Sequence, residues 1–295
     1  MDANRASSTA YTVMQGLLWA SNHPHYAPLV DADIRQSIRT FLSASPEGRR
    51  RIQQVEGVIS TRMLRLFERL LAPGISVHYA LRKKFFLSNV EKLIASGARQ
   101  VVNIGAGFDL LAWNLHKKYP DVKFVEIDHP STSQEKVAII NAVSAPGDNL
   151  SFLALDLSEE GLYAALSSQN IIEPGTLTVF ICEGVFMYLD EGSVINTFND
   201  IQKFDPKAAF LFTALAPFES PENNSTWLLR TYLRVKKEPL EWCIEPSAIE
   251  AFLAGVSFKC DAILDDEKAH SEYLSRPPET SLHKGEFMVA ATSDI

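Results

Sequence analysis

The feature that most limits how this chain can fold is a change in its hydrophobic pattern near Arg99. From there on, short apolar runs bounded by turn residues alternate with longer amphipathic segments, an order typical of a parallel sheet covered by helices. The first five apolar runs are separated by helix-length connections, as crossovers between parallel strands require. A polar segment joins the last two runs, which indicates an antiparallel final pair. We expect seven strands, at residues 100–104, 122–127, 150–155, 177–182, 208–214, 257–264 and 286–292.

Two segments fall outside this alternation. Residues 1–97 carry apolar side chains at helical spacing and no alternating run, which predicts a helical N-terminal cap or lid. Residues 98–295 then form the sheet domain, with an insertion at about 216–245 after the fifth strand. Because the insertion is too long for a simple turn and is rich in aromatic residues, we expect a second piece of lid over the carboxyl edge of the sheet.

The first strand runs directly into a turn that contains Gly105 and Gly107. Gly105 allows a sharp change of direction, and Gly107 allows the backbone to approach a ligand without a Cβ atom in the way. The second strand ends in Glu126 and Asp128, and an acid there can accept hydrogen bonds from both hydroxyls of a ribose. The third glycine of a dinucleotide fingerprint would fall at Leu110, so the pattern favours a nucleoside cofactor without a pyrophosphate. Two alternatives remain open: the glycines could serve only the packing of a tight turn, and the acid could serve only to cap the next helix.

Composition and charge exclude several classes of partner and site. The formal net charge of -8 repels phosphate backbones and anionic lipid surfaces, so we expect neither a nucleic-acid nor a membrane partner. Three scattered cysteines without CxxC spacing indicate neither a disulfide framework nor zinc binding and fit a reducing, cytoplasmic setting. The sequence contains no secretory signal and no apolar run long enough to span a bilayer. The seven histidines lack metal-ligand spacing, so no metal site is expected.

Several blocks of the sequence resemble one family, the leucine carboxyl methyltransferases, which includes protein phosphatase methyltransferases and bacterial polyketide O-methyltransferases. The resemblance covers about residues 75–292 and is strongest in residues 78–83 (HYALRK), 97–109 (GARQVVNIGAGFD), 126–128 (EID) with Lys136, and 182–189 (CEGVFMYL). It implies an α/β fold of the Rossmann-like class I methyltransferase type, with a seven-stranded, mostly parallel sheet. It also implies S-adenosylmethionine as the cofactor.

The resemblance assigns roles to residues on the first two strands and before them. Arg82 matches the family arginine that pairs with the methionine carboxylate of the cofactor, for which a guanidinium offers a planar fork. Gly105, with Gly107 beside it, matches the glycine that the cofactor contacts. Asp128 matches the ribose-binding acid, and Glu126 is its alternative.

Further roles fall on the third and fourth strands. Asp156 and Leu157 match the pair that borders the adenine, although Asp156 by itself also fits a simple helix cap. Glu183 matches the acid near the ammonium end of the cofactor, and a charge that leaves so apolar a strand usually needs a partner. Tyr188 is a candidate for the acceptor pocket, with a core position as the alternative. The first 70 residues match the family only loosely, so no cofactor contact is assigned there.

The chemistry of methyl transfer limits what else the site must contain. Because the sulfonium supplies the electrophile, the protein mainly aligns the acceptor. A carboxylate acceptor is ionised at neutral pH, whereas a phenol or alcohol needs a base, and the sequence reveals no clear base or other catalytic residue. We therefore expect O-methylation of a carboxyl group on a small, acidic metabolite or biosynthetic intermediate, with Arg230 and Arg234 as candidates to hold it.

Three other functions fit the same motifs. They are a phenol or alcohol O-methyltransferase of natural-product biosynthesis, a non-catalytic cofactor-binding protein, and an NAD(P)-dependent oxidoreductase, which Leu110 disfavours. The sequence does not predict an oligomeric state.

Overall fold

The strands form a single seven-stranded sheet in the order β3-β2-β1-β4-β5-β7-β6. The structure is a computed structural model that describes residues 8–156, 161–169, 171–235 and 240–293. The strands are β1 (Gln100–Ile104), β2 (Lys123–Asp128), β3 (Leu150–Ala154), β4 (Thr178–Cys182), β5 (Ala209–Leu215), β6 (Phe258–Leu264) and β7 (Glu286–Ser293). The seven strands predicted from the hydrophobic pattern are therefore confirmed, and their ends agree to within one residue.

The direction of the strands defines where a ligand can bind. Strands β1 to β5 are parallel, and β7 runs antiparallel between β5 and β6. The expected antiparallel final pair is confirmed, although the two strands are joined through a helix rather than a short turn. Because the chain moves from β1 towards β3 on one side and from β4 towards β5 on the other, the order reverses between β1 and β4. A crevice forms outside the carboxyl ends of the strands at such a reversal.

Twelve α-helices occur in the described part of the chain. Five precede the sheet, as the helical pattern of the N-terminal cap predicts: α1 (Ser8–Asn22), α2 (Ala32–Ser43), α3 (Pro46–Glu56), α4 (Val58–Leu71) and α5 (Ile75–Ala95). The others are α6 (Leu111–Lys118), α7 (Pro130–Val143), α8 (Leu162–Gln169), α9 (Glu191–Phe204), α10 (Trp227–Val235), α11 (Ile249–Gly255) and α12 (Asp266–Tyr273). None of the helices in these ranges is both long and apolar enough to cross a bilayer.

Helix α5 connects the N-terminal helices to the sheet. It is apolar on most of its circumference, with Val77, Leu81, Phe85 and Val90 all buried, as expected of a helix enclosed on every side. It packs against α1 and lies in the core layer that also covers one face of the sheet. Because α5 is fixed by this packing, the polar residues that it carries have defined positions relative to the strands.

The opposite face of the sheet is covered by a cluster of phenylalanines. Phe198 of α9 is fully buried, and its ring contacts five others. Edge-to-face pairs of this kind add to the stabilisation that comes from burial alone. The partners of Phe198 are Phe186, Phe210, Phe212, Phe252 and Phe258.

We predict that Phe198→Ala lowers the free energy of unfolding by about 3–5 kcal/mol, because it removes a large buried ring and leaves a cavity. Urea denaturation followed by circular dichroism measures the change. Val143→Ala, at a position that is 38% exposed, is the matched control and should stay within about 0.5 kcal/mol of wild type. Equal stability of the two variants would show that the ring cluster does not support this face of the sheet.

Candidate active site

A cavity of about 1030 Å³ opens at the carboxyl ends of β1, β2 and β4. One wall is the sheet edge with the loops that follow these strands, and the other walls come from α1, α4, α5 and α10. The N-terminal helices and the inserted segment thus meet over the sheet. The volume lies at the upper end of the range for small-molecule sites.

The glycine turn forms the floor of the cavity beside β1. Gly105 and Gly107 adopt φ angles of +65° and +49°, which residues with a Cβ atom rarely adopt. A Cβ atom on Gly105 would lie 2.3 Å from Cγ2 of Val185. Position 105 therefore requires glycine for both conformation and space, and position 107 favours it for conformation. The turn presents bare backbone to the cavity.

Asp128 holds this turn in place from the end of β2. Its carboxylate accepts hydrogen bonds from the backbone N–H of Gly107 and, at 2.7 Å, from that of His129. Burial raises the pKa of Asp128, although these two N–H donors favour the charged form. A carboxylate offers about four acceptor positions, so Asp128, which lines the cavity, can accept further hydrogen bonds from a ligand.

Glu126 lies deeper on the same face of β2 and does not line the cavity. Its carboxylate forms an ion pair with Lys136 of α7 at 2.5 Å, and both side chains are buried. Burial raises the pKa of Glu126 to about 7, against the attraction of Lys136. Of the two acids expected at the end of β2, Asp128 is thus the one that the fold brings to the site.

Arg82, on α5, joins three parts of the fold. Its Nε donates to Glu183 at the end of β4 at 2.7 Å, and its Nη1 donates to both oxygens of Glu286 at the start of β7 at 2.8 Å. The residue is 5% exposed and lies in the cavity wall. In the described part of the chain these hydrogen bonds use Nε and Nη1, which leaves Nη2 for a ligand.

Lys83 extends the same network towards β1. Its ammonium contacts Glu183 at 2.7 Å and Asp109, beyond the glycine turn, at 2.9 Å. Burial disfavours the charge on Lys83, but the two carboxylates overcome this effect and raise its pKa. Lys83 holds the pKa of Asp109 below its usual range in return, despite burial.

His78 lies at the other end of the network, one turn before Arg82 on α5. Its two ring nitrogens lie 2.6 Å from Asp266 and 2.8 Å from Glu286. Burial disfavours protonation of His78, but these carboxylates raise its pKa to about 9. Arg82 and His78 in turn hold the pKa of Glu286 well below its usual range, although burial acts in the opposite direction. Protonated His78 therefore donates from both nitrogens at neutral pH.

Asp156 and Tyr188 also reach the cavity wall. Asp156 lies 3.6 Å from Nε2 of His129, in the loop after β3. Leu157, which was expected beside it, lies outside the described residues. The structure thus brings Arg82, Gly105, Gly107, Asp128, Asp156, Glu183 and Tyr188 to one cavity.

Of the two arginines of the insertion, Arg230 does not line the cavity in this structure. It pairs with Glu219 at 3.0 Å, with half of its side chain exposed. Arg234 lies on the same helix, α10, but its side chain is outside the described part of the chain. The residues of α10 that line the cavity are instead Leu229 and Leu233, so this helix contributes an apolar wall.

Sequence reasoning missed the residues that complete the network around Arg82. Glu286 could have been suspected, because it begins a strongly apolar strand just as Glu183 ends one, and such a buried charge needs a partner. Nothing in the local sequence indicates that His78 and Asp266 pair, since 188 positions separate them.

The sheet edge of the cavity is negatively charged. Five carboxylates line this edge. Among the described cavity residues, the lysine and arginine side chains at the same edge are those of Arg82 and Lys83. Both cations are already engaged by carboxylates. A ligand that carries positive charge is therefore favoured here, and one that carries several phosphates is disfavoured. The carboxylates belong to Asp109, Asp128, Asp156, Glu183 and Glu286.

Comparison with solved structures defines the class of fold. A protein from Thermobifida fusca that is provisionally named a methyltransferase matches with a TM-score of 0.61 and 14% identity, over 87% of this chain and 94% of that chain. A DUF574 family protein from Streptomyces avermitilis matches with a TM-score of 0.58 and 11% identity, over 87% of this chain and 97% of that chain. The fold is that of the Rossmann-like class I methyltransferases, as the resemblance implied.

Sequence comparison identifies the family. The model of the leucine carboxyl methyltransferase family matches residues 47–202, and the chain belongs to this family. A relative from Mycobacterium marinum, provisionally named an S-adenosyl-L-methionine-dependent methyltransferase, is 29% identical over 136 residues, or 45% of this chain and 42% of the relative. A relative from Streptomyces avermitilis with a similar provisional name is 30% identical over 125 residues, or 41% and 42%. The match thus spans less than half the length of either relative.

The His78 contacts predict a specific dependence of stability on pH. Because the pKa of His78 rises from 6.5 to about 9 on folding, its stabilising effect is complete below pH 6.5 and is lost as the pH rises through about 9. By linkage this loss is about 3 kcal/mol. Urea denaturation of wild type and His78→Asn across this range measures it. The variant should be less stable at the lower pH and should show a shallower decline, and parallel curves would contradict a protonated His78.

Proposed function

We propose that this protein is an S-adenosylmethionine-dependent methyltransferase that methylates an oxygen atom, most simply a carboxylate oxygen, of a small molecule. The observation that carries the proposal is the grouping of a glycine turn, the cavity-facing Asp128 and a negatively charged wall around one cavity at the switch point of the sheet. Family membership and the provisional names of the relatives support the same activity.

The residues present fit this cofactor. Gly105 and Gly107 line the cavity with backbone that carries no Cβ atom, and Asp128 offers free acceptor positions for ribose hydroxyls. Asp156 lines the cavity after β3, where it can accept from the exocyclic amine of the adenine. When bound, the cofactor supplies an electrophilic methyl group on a sulfonium whose leaving group is a neutral sulfide.

Arg82 and Glu183 fit the amino-acid end of the cofactor. Nη2 of Arg82 can donate to the carboxylate, while Glu286 and Glu183 hold the guanidinium plane in position. Glu183 lines the cavity and can face the ammonium group. In this arrangement Arg82 does not act as an isolated cation, because the carboxylates around it offset its positive charge. The cavity wall therefore still attracts the positively charged sulfonium of the cofactor.

The same charges argue against a dinucleotide-dependent oxidoreductase. A pyrophosphate in this cavity would lie against the carboxylates of the sheet edge, and the two cations there are already paired. The buried side chain of Leu110 occupies the position where a dinucleotide fingerprint has its third glycine.

A carboxylate acceptor is favoured by the state of two cavity-lining groups, Glu183 and His283, that could otherwise serve as a base. Glu183 lies between Arg82 and Lys83. His283 lines the cavity, but burial, aided by the nearby charge of His78, lowers its pKa to about 3. Such a weak base removes a proton from a phenol or alcohol poorly, whereas a carboxylate needs no proton removed. Alignment of the acceptor would then supply most of the rate enhancement.

Direct binding and turnover test the proposal. We expect S-adenosylmethionine and S-adenosylhomocysteine to bind in isothermal titration calorimetry and NADH and NADPH to show no heat of binding. Formation of S-adenosylhomocysteine with a panel of carboxylic acids, and not with matched phenols and alcohols, would support the carboxyl acceptor. Turnover of phenols alone would favour natural-product hydroxyl methylation, and binding without any turnover across a wide panel would favour a binding protein.

We further predict that Asp128→Ala weakens binding of S-adenosylhomocysteine by about 1–3 kcal/mol, because it removes a charged hydrogen-bond acceptor and the anchor of the glycine turn. Glu126→Gln, on the same strand but outside the cavity, is the matched variant and should bind within about twofold of wild type. Calorimetry measures both affinities, and circular dichroism verifies that each variant is folded. A large loss in Glu126→Gln with none in Asp128→Ala would transfer the ribose contact to Glu126.

A further inference from the structure

The cavity extends well beyond the residues that fit the cofactor, into a space bounded by the lid helices. We call this space the acceptor chamber and define it by six side chains: Met14 of α1, Leu64, Phe67 and Leu71 of α4, and Leu229 and Leu233 of α10. All six are apolar. The charged groups of the sheet edge come from other elements, so the cavity combines a charged wall from the sheet edge and α5 with a largely apolar wall from the lid helices, in which Arg65 and Glu68 are also present.

The two charged groups that α4 contributes to the cavity wall are neutralised within the protein. Arg65 of α4 forms an ion pair with Glu68, and its guanidinium lies 3.7 Å from the centre of the Trp19 ring. Glu68 also accepts a hydrogen bond from the Ser76 hydroxyl at 2.6 Å. Arg230 of α10 does not line the cavity and pairs with Glu219. These pairings leave the α4 and α10 walls suited to apolar surface rather than to a second charged group, while Glu241 lies elsewhere in the lining.

The apolar character continues to the outside of the lid. Of the ten large apolar side chains that are exposed in the described chain, eight lie on α4 and α10, including Ile59 at 76% and Trp227 at 73%. Helix α4 has no buried residue at all, and no described side chain of α10 is buried. The apolar surface therefore runs from the exterior over the edge of the lid into the chamber.

We propose that the methyl acceptor is a molecule with a long or bulky apolar body, which occupies the acceptor chamber while its reacting oxygen points to the charged sheet edge. This inference rests on the proposed function and specifies its substrate class. It does not use Arg230, which pairs with Glu219 outside the cavity lining. Recognition comes from removal of apolar surface from water against α1, α4 and α10.

The test uses straight-chain carboxylic acids, from butanoate to dodecanoate, titrated into the full-length protein saturated with S-adenosylhomocysteine. If the chain enters the chamber, each added methylene should lower the dissociation constant about threefold until the chamber is full. Dodecanedioate, which has the same length and a second carboxylate at the far end, should bind at least tenfold more weakly than dodecanoate. An affinity independent of chain length, or tighter binding of the diacid, would overturn the proposal.

Variants locate the binding site. Leu233→Asp and, separately, Leu64→Asp place a carboxylate in the chamber wall and should weaken dodecanoate binding at least tenfold, while the affinity for S-adenosylhomocysteine stays within about twofold of wild type. Arg230→Ala, at a half-exposed position of the same helix that does not line the cavity, is the control and should bind dodecanoate as wild type does. Because α10 has no buried side chain in its described part, Leu233→Asp should fold normally.

Two failures are distinguishable in this design. Absence of S-adenosylhomocysteine binding to wild type would contradict the proposed function itself. If S-adenosylhomocysteine binds normally but dodecanoate does not bind, the methyltransferase proposal stays intact and the assignment of the chamber is overturned. The same holds if both aspartate variants bind dodecanoate as tightly as wild type does.

Discussion

The structure depends most on the double hydrogen bonding of Arg82 between Glu183 and Glu286. This contact connects α5, which comes before the sheet, to the end of β4 and to the start of β7, the last strand in the chain. A guanidinium can serve two carboxylates at once because its donors lie in a rigid plane. The N-terminal helices are thereby held in a fixed position over the sheet edge where the cavity opens.

A buried charge network of this kind is costly unless every member has a partner. Here each charged group in the chain from His78 to Asp109 contacts at least one group of opposite charge. Removal of any one of them would leave its neighbours buried and uncompensated. The same arrangement prepares the cavity for its ligand, because charges that are already fixed need no reorganisation when a cation binds beside them.

The division of the cavity into a charged side and an apolar side follows from the elements that build it. The charged side belongs to loops after parallel strands and to α5, all of which the core immobilises. The apolar side belongs to α4 and α10, which make few buried contacts of their own. Helices with so little buried surface can separate from the rest of the fold at low free-energy cost. This property suits the part of the site through which an acceptor would enter. The part fixed by the core would then serve the common cofactor, and the part with little buried surface would select the substrate.

The local sequence determined the elements of this protein and the positions of its cofactor motif. Seven strands, their direction and the glycine turn at Gly105 follow from patterns with short range, because burial periodicity and backbone sterics act over a few residues. The sequence predicted Asp128 as the ribose-binding acid, with Glu126 as the alternative. Because side chains alternate along a strand, both acids lie on one face of the sheet, and the pattern does not show which of them reaches the cavity.

Only the tertiary structure decided which groups meet across large separations. It paired Glu126 with Lys136, placed Asp128 at the cavity and paired His78 with Asp266. It also paired Arg230 with Glu219, outside the cavity lining. Partners of this kind are selected by the way the helices pack on the sheet, and a linear pattern contains no measure of that packing. Charge pairing between distant residues is therefore a property of the folded chain, whereas the elements that carry those residues are largely a property of the sequence.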